Sequence, residues 1–303
     1  MQDAAASIDV DALSGVSETL LVPLYCRAIE SGHPRRVLTD DKAVAVVAQL
    51  DRALAASNRR LHRKLLARKL PSKLALSMAL RTRCFDRYSR DFLGRAPDGA
   101  IVSLGCGLDT RFERIDNGRA QWFDLDLPEV MAWRRQFFEE HARRRFIAAS
   151  VSDEGWREQI APCRDRPLLF LAEGLLMYLE PEQVRSLVLG LQRHFAGCEL
   201  VAEVFSSRWV SRMRSPLLQL KFRRQCHLDA SATFKSGIAD SREFERWNGG
   251  IELIDDWTYF DDREQRLGWM ISLLGRFEST RRLQWTVRYR LGAGSTSAAP
   301  AVV

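Results

Sequence analysis

The chain has 303 residues, 46% of them hydrophobic and 28% charged, which suits a water-soluble globular protein long enough to bury a large core. Its 46 lysines and arginines outnumber 39 aspartates and glutamates, for a net charge of +7. Carboxylates are interleaved with the arginines almost throughout, so the excess favours anions in general without specifying a nucleic acid. No apolar run is long enough to cross a bilayer, and the first ten residues lack the basic-then-apolar order of a secretory leader. The six cysteines (Cys26, Cys84, Cys106, Cys163, Cys198, Cys226) are scattered, with no CxxC pair and no histidine at zinc-ligand spacing. The reading is a cytoplasmic protein with reduced thiols and no metal.

In chain order, the first dozen residues are small and polar and read as a frayed end. Residues 20–93 carry a helical pattern. Val44, Val47 and Leu50 recur at helical spacing after the Asp40-Asp41 start signal, and a further helix carries Leu74, Met78, Phe85, Tyr88 and Phe92. Between them lies the most basic stretch of the chain, residues 59–70, with Leu61, Leu65, Leu66 and Leu70 marking an apolar side. A solvated helix face, or one lining the way in for an acidic substrate, outweighs a nucleic-acid or membrane surface there.

After Asp98-Gly99 the pattern becomes strand–helix alternation. Apolar runs at 100–104, 121–126, 146–151, 168–172 and 199–205 read as buried parallel strands. Helices opening at Pro128 (through about His141) and at Pro181 cross between them; Val184, Leu187, Val188, Leu191 and Phe195 share one face of the second. Residues 208–246 interrupt the alternation as a helical insertion. Strand candidates at 251–259 and 283–291, with helix-like residues around 267–274 between them, suggest an antiparallel pair at the sheet edge. The expected fold is therefore α/β, a doubly wound, mostly parallel seven-stranded sheet with N-terminal helices and a helical insertion after the fifth strand. The division is a helical cap or substrate lid at 1–95, the main domain at 96–292 with an insertion at 207–247, and a disordered tail at 293–303.

The loop Leu104-Gly105-Cys106-Gly107-Leu108-Asp109-Thr110 follows the first buried strand, where glycines let a backbone approach a ligand closely. About twenty residues on, Asp124 and Asp126 end the next strand, and a carboxylate there accepts hydrogen bonds from a ribose diol. Asp126, nearer the strand's C-terminal end, is the better placed. A dinucleotide site wants a third glycine where this chain has Thr110, and the P-loop lysine is missing. The pattern points to an adenosine-containing cofactor other than NAD or a nucleoside triphosphate.

Five ordered motifs carry a resemblance: LLVPLYCRA (20–28), ALRTRCFD (79–86), VSLGCGLDTRF (102–112), WFDLDLPEV (122–130) and LAEGLLMYL (171–179). Together they resemble the leucine carboxyl methyltransferase family and, within it, the bacterial polyketide-type O-methyltransferases. The match runs from about residue 20 to 205 and fades after it. The resemblance implies a class I, Rossmann-like methyltransferase using S-adenosyl-L-methionine and leaving S-adenosyl-L-homocysteine. By matching positions, Arg81 pairs with the methionine carboxylate of the cofactor, a task for which a guanidinium fork is suited. Gly105 and Gly107 lie against the cofactor, Asp126 holds the ribose, and Glu173 is a further cofactor contact. Ser150 and Val151 flank the adenine, Ser150 standing where the eukaryotic carboxyl methyltransferases have an acid. Tyr178 lies close to the methyl group.

An ionised carboxylate acceptor needs no general base, whereas a phenol benefits from one. None of the five histidines (His33, His62, His141, His194, His227) lies in the cofactor motifs, which favours a small acidic acceptor, as in secondary metabolism. The N-terminal helices, with Tyr25 and Arg27, and the 208–246 insertion are expected to form its pocket, Arg27 or an arginine of the insertion pairing with the acid. A phenol or hydroxyl acceptor is the alternative. An RNA methyltransferase would show an Asn/Asp-Pro-Pro-aromatic motif where Glu173-Gly174-Leu175-Leu176 stands. A non-catalytic cofactor-binding module is disfavoured by the intact set of cofactor residues.

Overall fold

The computed structural model describes residues 20–213 and 234–294, so the frayed start, nearly all of the disordered tail and the middle of the insertion lie outside the described residues. Seven strands, β1 (Ala100–Leu104), β2 (Gln121–Asp126), β3 (Arg144–Ala148), β4 (Leu168–Ala172), β5 (Cys198–Phe205), β6 (Ile251–Thr258) and β7 (Gln284–Leu291), form one sheet. Their order is β3-β2-β1-β4-β5-β7-β6. The first five run parallel, and β7 lies antiparallel to both β5 and β6, the expected antiparallel pair. Strands β1, β4 and β5 are buried along their whole length, which is why they read as unbroken apolar runs rather than alternating ones.

Each face of the sheet is covered. On one, Val102, Phe170, Leu200 and Val287 pack against α7 (Pro181–His194) through Val184, Leu187, Val188 and Leu191. On the other, Ile101, Trp122, Leu169 and Val201 meet α4 (Ser72–Arg95) through Leu80, Phe85, Tyr88 and Phe92. A third apolar cluster joins α1 (Leu21–Ser31), α2 (Asp41–Leu54) and α3 (Arg60–Leu66) to Cys106 and Leu108 of the glycine loop and to Met131 and Trp133 of α6 (Pro128–Arg134). The basic stretch at 59–70 therefore puts Leu61, Leu65, Leu66 and Leu70 inward, while Arg60, Arg63 and Lys69 are exposed.

Three expectations are corrected. Val44 is 45% exposed; the buried face of α2 is Ala43, Val46, Val47, Leu50 and Leu54, a stripe at helical spacing from whose first residue Val44 is turned about 100°. The helix from Pro128 ends at Arg134 rather than near His141, as Gln136, Phe137 and Phe138 close tight turns onto Trp133 and Arg134. A bridge between His141 and Arg144 then starts β3 two residues early, so Ser150 and Val151 fall in the loop beyond its end.

Beneath the sheet's third cluster Asp124 is almost wholly buried and accepts hydrogen bonds from Trp122 Nε1 (3.1 Å), Arg134 Nη2 (2.8 Å) and Arg144 Nε (3.0 Å). Replacing it with leucine leaves two buried guanidinium groups without their shared anion. Asp124→Leu is expected to lose about 3–5 kcal/mol of stability, measured by chemical denaturation. A loss below about 1 kcal/mol would show the two arginines finding other partners.

Candidate active site

Strand order reverses between β1 and β4, so the loops leaving these neighbouring strands part to opposite faces and open a crevice at their C-terminal ends. A cavity of about 350 Å³ occupies that place, a size suited to a small-molecule ligand. Its wall brings together Arg81 of α4, Gly105 and Gly107 after β1, Asp126 at the end of β2, Ser150 and Val151 beyond β3, and Glu173 and Tyr178 after β4. Arg27 of α1 joins them; Tyr25 does not.

The glycine loop is built for close approach. Gly105 and Gly107 have φ of +63° and +48°, in the left-handed region that other residues avoid. A Cβ at Gly105 would stand 2.9 Å from Leu175 across the crevice, and one at Gly107 the same distance from Leu20. Arg134 holds the loop from below, donating to the carbonyls of Gly107 (2.8 Å) and Asp109 (2.9 Å). Asp126 closes it: Oδ2 accepts from the Gly107 N–H (2.7 Å) and Oδ1 from Leu127 N–H (2.8 Å). Burial raises the Asp126 pKa above the ordinary aspartate value, against the pull of those two N–H groups.

A chain of ion pairs lines the other wall. Glu173 accepts from Arg81 Nε (2.8 Å) and from Arg111 Nη2 (2.5 Å), and Arg81 Nη1 donates to Glu203 (3.0 Å). Arg111, at the start of α5 (Arg111–Ile115), also holds Asp86 (2.8 Å) and Asp109 (2.5 Å). Burial opposes ionisation of Glu173, but the charges of Arg81 and Arg111 outweigh it and hold its pKa below the ordinary range. Tyr178 is pushed the other way, upward, first by burial and then by the nearby Glu203 charge, so it stays a neutral phenol at physiological pH.

One sequence expectation needs correction. Tyr25 is fully buried on the far side of α1, its hydroxyl donating to Asp51 (2.9 Å) and its ring under the Arg68 guanidinium. Pro23 and Arg27, one turn apart, face the cavity, and a residue two positions from each points about 200° away. Arg27 lines the cavity, but its Nε is held by Asp40 (2.9 Å) and its Nη2 by the Leu108 carbonyl (2.8 Å). Its guanidinium thus ties the glycine loop to α1 while bordering the cavity. Sequence reasoning missed Asp109, Arg111 and Glu203. Asp109 and Arg111 stood inside a quoted motif, but nothing in a chain this rich in arginine sets a buried one apart from a surface one.

A glycine loop after the first strand and an acid closing the second, at the switch point of this sheet, make a site for an adenosine-containing cofactor, and the family match makes the protein an S-adenosylmethionine-dependent methyltransferase of the Rossmann-like class. The chain belongs to the leucine carboxyl methyltransferase family, whose family model matches residues 21–192. It is 30% identical over 253 residues to the tetracenomycin polyketide synthesis O-methyltransferase TcmP of Streptomyces glaucescens, covering 82% of this chain and 85% of that one. It is 33% identical over 201 residues to the S-adenosyl-L-methionine-dependent methyltransferase dpfgK of Gibberella zeae, covering 63% and 65%. A solved DUF574 family protein from Streptomyces avermitilis shares the fold, with a TM-score of 0.51 at 14% identity over 80% of this chain and 96% of that one. Among the described residues no helix is long and apolar enough to cross a membrane.

The residues present fit the cofactor. The glycine cradle is a space that a Cβ would fill, and Ser103 Oγ, buried in the cavity wall, makes no hydrogen bond to a described residue. The lining cations Arg27, Arg81 and Arg111 are matched by Asp109, Asp126 and Glu173, a balance suited to a ligand carrying both signs of charge. Asp126→Asn is expected to weaken S-adenosylhomocysteine binding about 10–100-fold by calorimetry, the worth of hydrogen bonds to a charged acceptor. Because the Asp126 pKa is raised, wild-type affinity should be full at neutral pH and fall with acidification before Glu173 titrates. The same early loss in Asp126→Asn would assign it to another group.

Proposed function

We propose that this protein esterifies a carboxylate on a small-molecule acceptor, of the polyketide kind, as an S-adenosylmethionine-dependent O-methyltransferase. When bound, the cofactor supplies a methyl group already activated by its sulfonium centre. Arg81 and Glu173, 2.8 Å apart, present a cation and an anion side by side, the complement of an amino acid's carboxylate and ammonium. Asp126 accepts from the ribose, and Ser150 with Val151 flanks the adenine. Leu20, Pro23, Leu175 and Leu179 supply apolar walls that exclude water. The described parts of the cap (20–95) and of the insertion (207–213 and 234–247) belong to the same proposal as the parts that lie over the main domain.

The observation that carries the carboxylate reading is that the cavity presents no group poised as a base. None of the described histidines lines it. Glu173 is held ionised between two arginines and is a weak proton acceptor, while Tyr178 keeps its proton and serves as a hydrogen-bond donor that positions the acceptor. An acceptor that arrives as an anion needs no deprotonation. The name of TcmP supports a polyketide-like compound.

Labelled methyl transfer to a panel of aromatic and aliphatic acids and phenols tests this. Methyl esters are expected, at a rate nearly flat from about pH 6 to 9, since a carboxylic acid near pKa 4 is fully ionised there. A rate that climbs toward pH 10 with phenyl ethers as product would replace the carboxylate with a phenol. Tyr178→Phe is expected to lower kcat with the acceptor while leaving the S-adenosylhomocysteine Kd within about twofold, because one positioning hydrogen bond nets about 0.5–1.5 kcal/mol.

A further inference from the structure

Strand β5 is buried along its whole length and is apolar except for two acids, Glu199 and Glu203. Both lie on the α4 side of the sheet with Val201 between them, as alternate residues of a strand do. Glu199 pairs with Arg95 (2.9 Å) and Arg288 (2.7 Å), at the end of the strand away from the cavity. Glu203 stands near the C-terminal end, where the cavity opens. Among the described residues its one cationic partner is Arg81, whose Nη1 donates to both carboxylate oxygens (3.2 and 3.0 Å). Apolar residues in place of a buried ion pair often leave a protein as stable or more so, and stability therefore does not account for an acid here.

Arg81 reaches the cavity from α4 on a long side chain, and Glu173 alone would hold it at one point. Glu173 is also shared with Arg111 (2.5 Å). Glu173 takes Nε (2.8 Å) from the loop after β4, and Glu203 takes Nη1 from β5. Two anchors on different strands fix the plane of a rigid guanidinium. The third nitrogen, Nη2, donates to none of the described residues. It lies beside Gly174, another lining residue, 3.7 Å from where a Cβ would stand. Gly174 has a φ of +68° and no side chain, so nothing from that position covers Nη2.

We infer that Glu203 is a positioning residue: it holds Arg81 so that Nη2 is presented to the carboxylate of the bound cofactor, and it thereby sets the affinity for the cofactor's amino-acid end. The inference rests on the seat proposed above for that amino acid, at Arg81 and Glu173. A guanidinium bonds a carboxylate through N–H groups of fixed direction, so a fork turned away loses the bond while keeping the charge. With Glu203 made neutral, the orientation of Arg81 is left to Glu173.

The test is calorimetric binding of S-adenosylhomocysteine and of methylthioadenosine, which keeps the nucleoside and the thioether but lacks the amino acid. Glu203→Gln is expected to weaken S-adenosylhomocysteine about 5–20-fold and to leave methylthioadenosine within about twofold. In an Arg81→Lys background, where no fork is left to orient, the same change should cost nothing further. Equal losses for the two probes would show Glu203 bracing the whole cavity and overturn its positioning role. So would an unchanged S-adenosylhomocysteine affinity, or a full loss that persists in the Arg81→Lys background. Should the glutamine variant not fold, Glu203→Asp keeps the charge but draws it back by one methylene, and the same split between the probes decides. Arg81→Lys alone tests the seat: if S-adenosylhomocysteine binds it as tightly as wild type, the seat falls and the role of Glu203 with it. A loss in Arg81→Lys with none in Glu203→Gln overturns Glu203 only.

Discussion

The structure depends on a buried chain of ion pairs that stitches the N-terminal helices to the loops of the sheet. Four arginines (Arg27, Arg81, Arg111, Arg114) meet five carboxylates (Asp40, Asp86, Asp109, Glu173, Glu203) contributed by α4, the glycine loop, the β4 loop, β5 and the residue capping α2. Asp40 alone caps α2 and accepts from Arg27, Thr110 and Arg114. Buried charges of this kind add little net stability compared with apolar packing, yet removing one partner is costly because the other stays buried. Their consequence is registry: the two walls of the cavity hold one relative position, set by bonds of fixed geometry.

That registry matters for the chemistry. The cavity wall itself is balanced, three arginines against three carboxylates, and S-adenosylmethionine carries both signs, an ammonium and a sulfonium against a carboxylate. The wall offers both signs in fixed positions, with Arg81 held by Glu173 on one edge and by Glu203 on the other. The same bonding explains why no carboxylate in the cavity is a ready base: each oxygen that would take a proton already accepts from a guanidinium or a backbone N–H. Catalysis by placement, in which acceptor and activated methyl are aligned and water kept out, suits such a site.

Much of the fold was legible because its determinants are local. Five parallel strands announced themselves as short apolar runs, and β1, β2 and β4 took the expected residues. Prolines at 128 and 181 opened helices where expected. Boundaries went astray where tertiary contacts rule. Val44 turned to solvent because the packed cluster took Ala43, Val46, Val47, Leu50 and Leu54 instead, and α6 stopped at Arg134, whose side chain turns to Asp124 and the glycine loop. Residues 146–151 read as one run, yet the strand ends at Ala148 and leaves Ser150 and Val151 to the loop at the cavity.

The sequence by itself determined an adenosine site, because glycines after a buried strand and an acid one strand away are constraints that only a few residue types satisfy, and its five ordered motifs determined the class. Only the tertiary structure decided which charged side chains face the ligand and which brace the walls. Tyr25 and Arg27 stand two residues apart in one motif, yet one is sealed under Arg68 and the other clamps Leu108. Arg111, silent in the sequence, turned out to join α4, the glycine loop and the β4 loop. The reason is that an arginine's role is set by the carboxylates that folding brings within reach, here from residues as far as 122 positions apart in the chain. No local pattern encodes that distance.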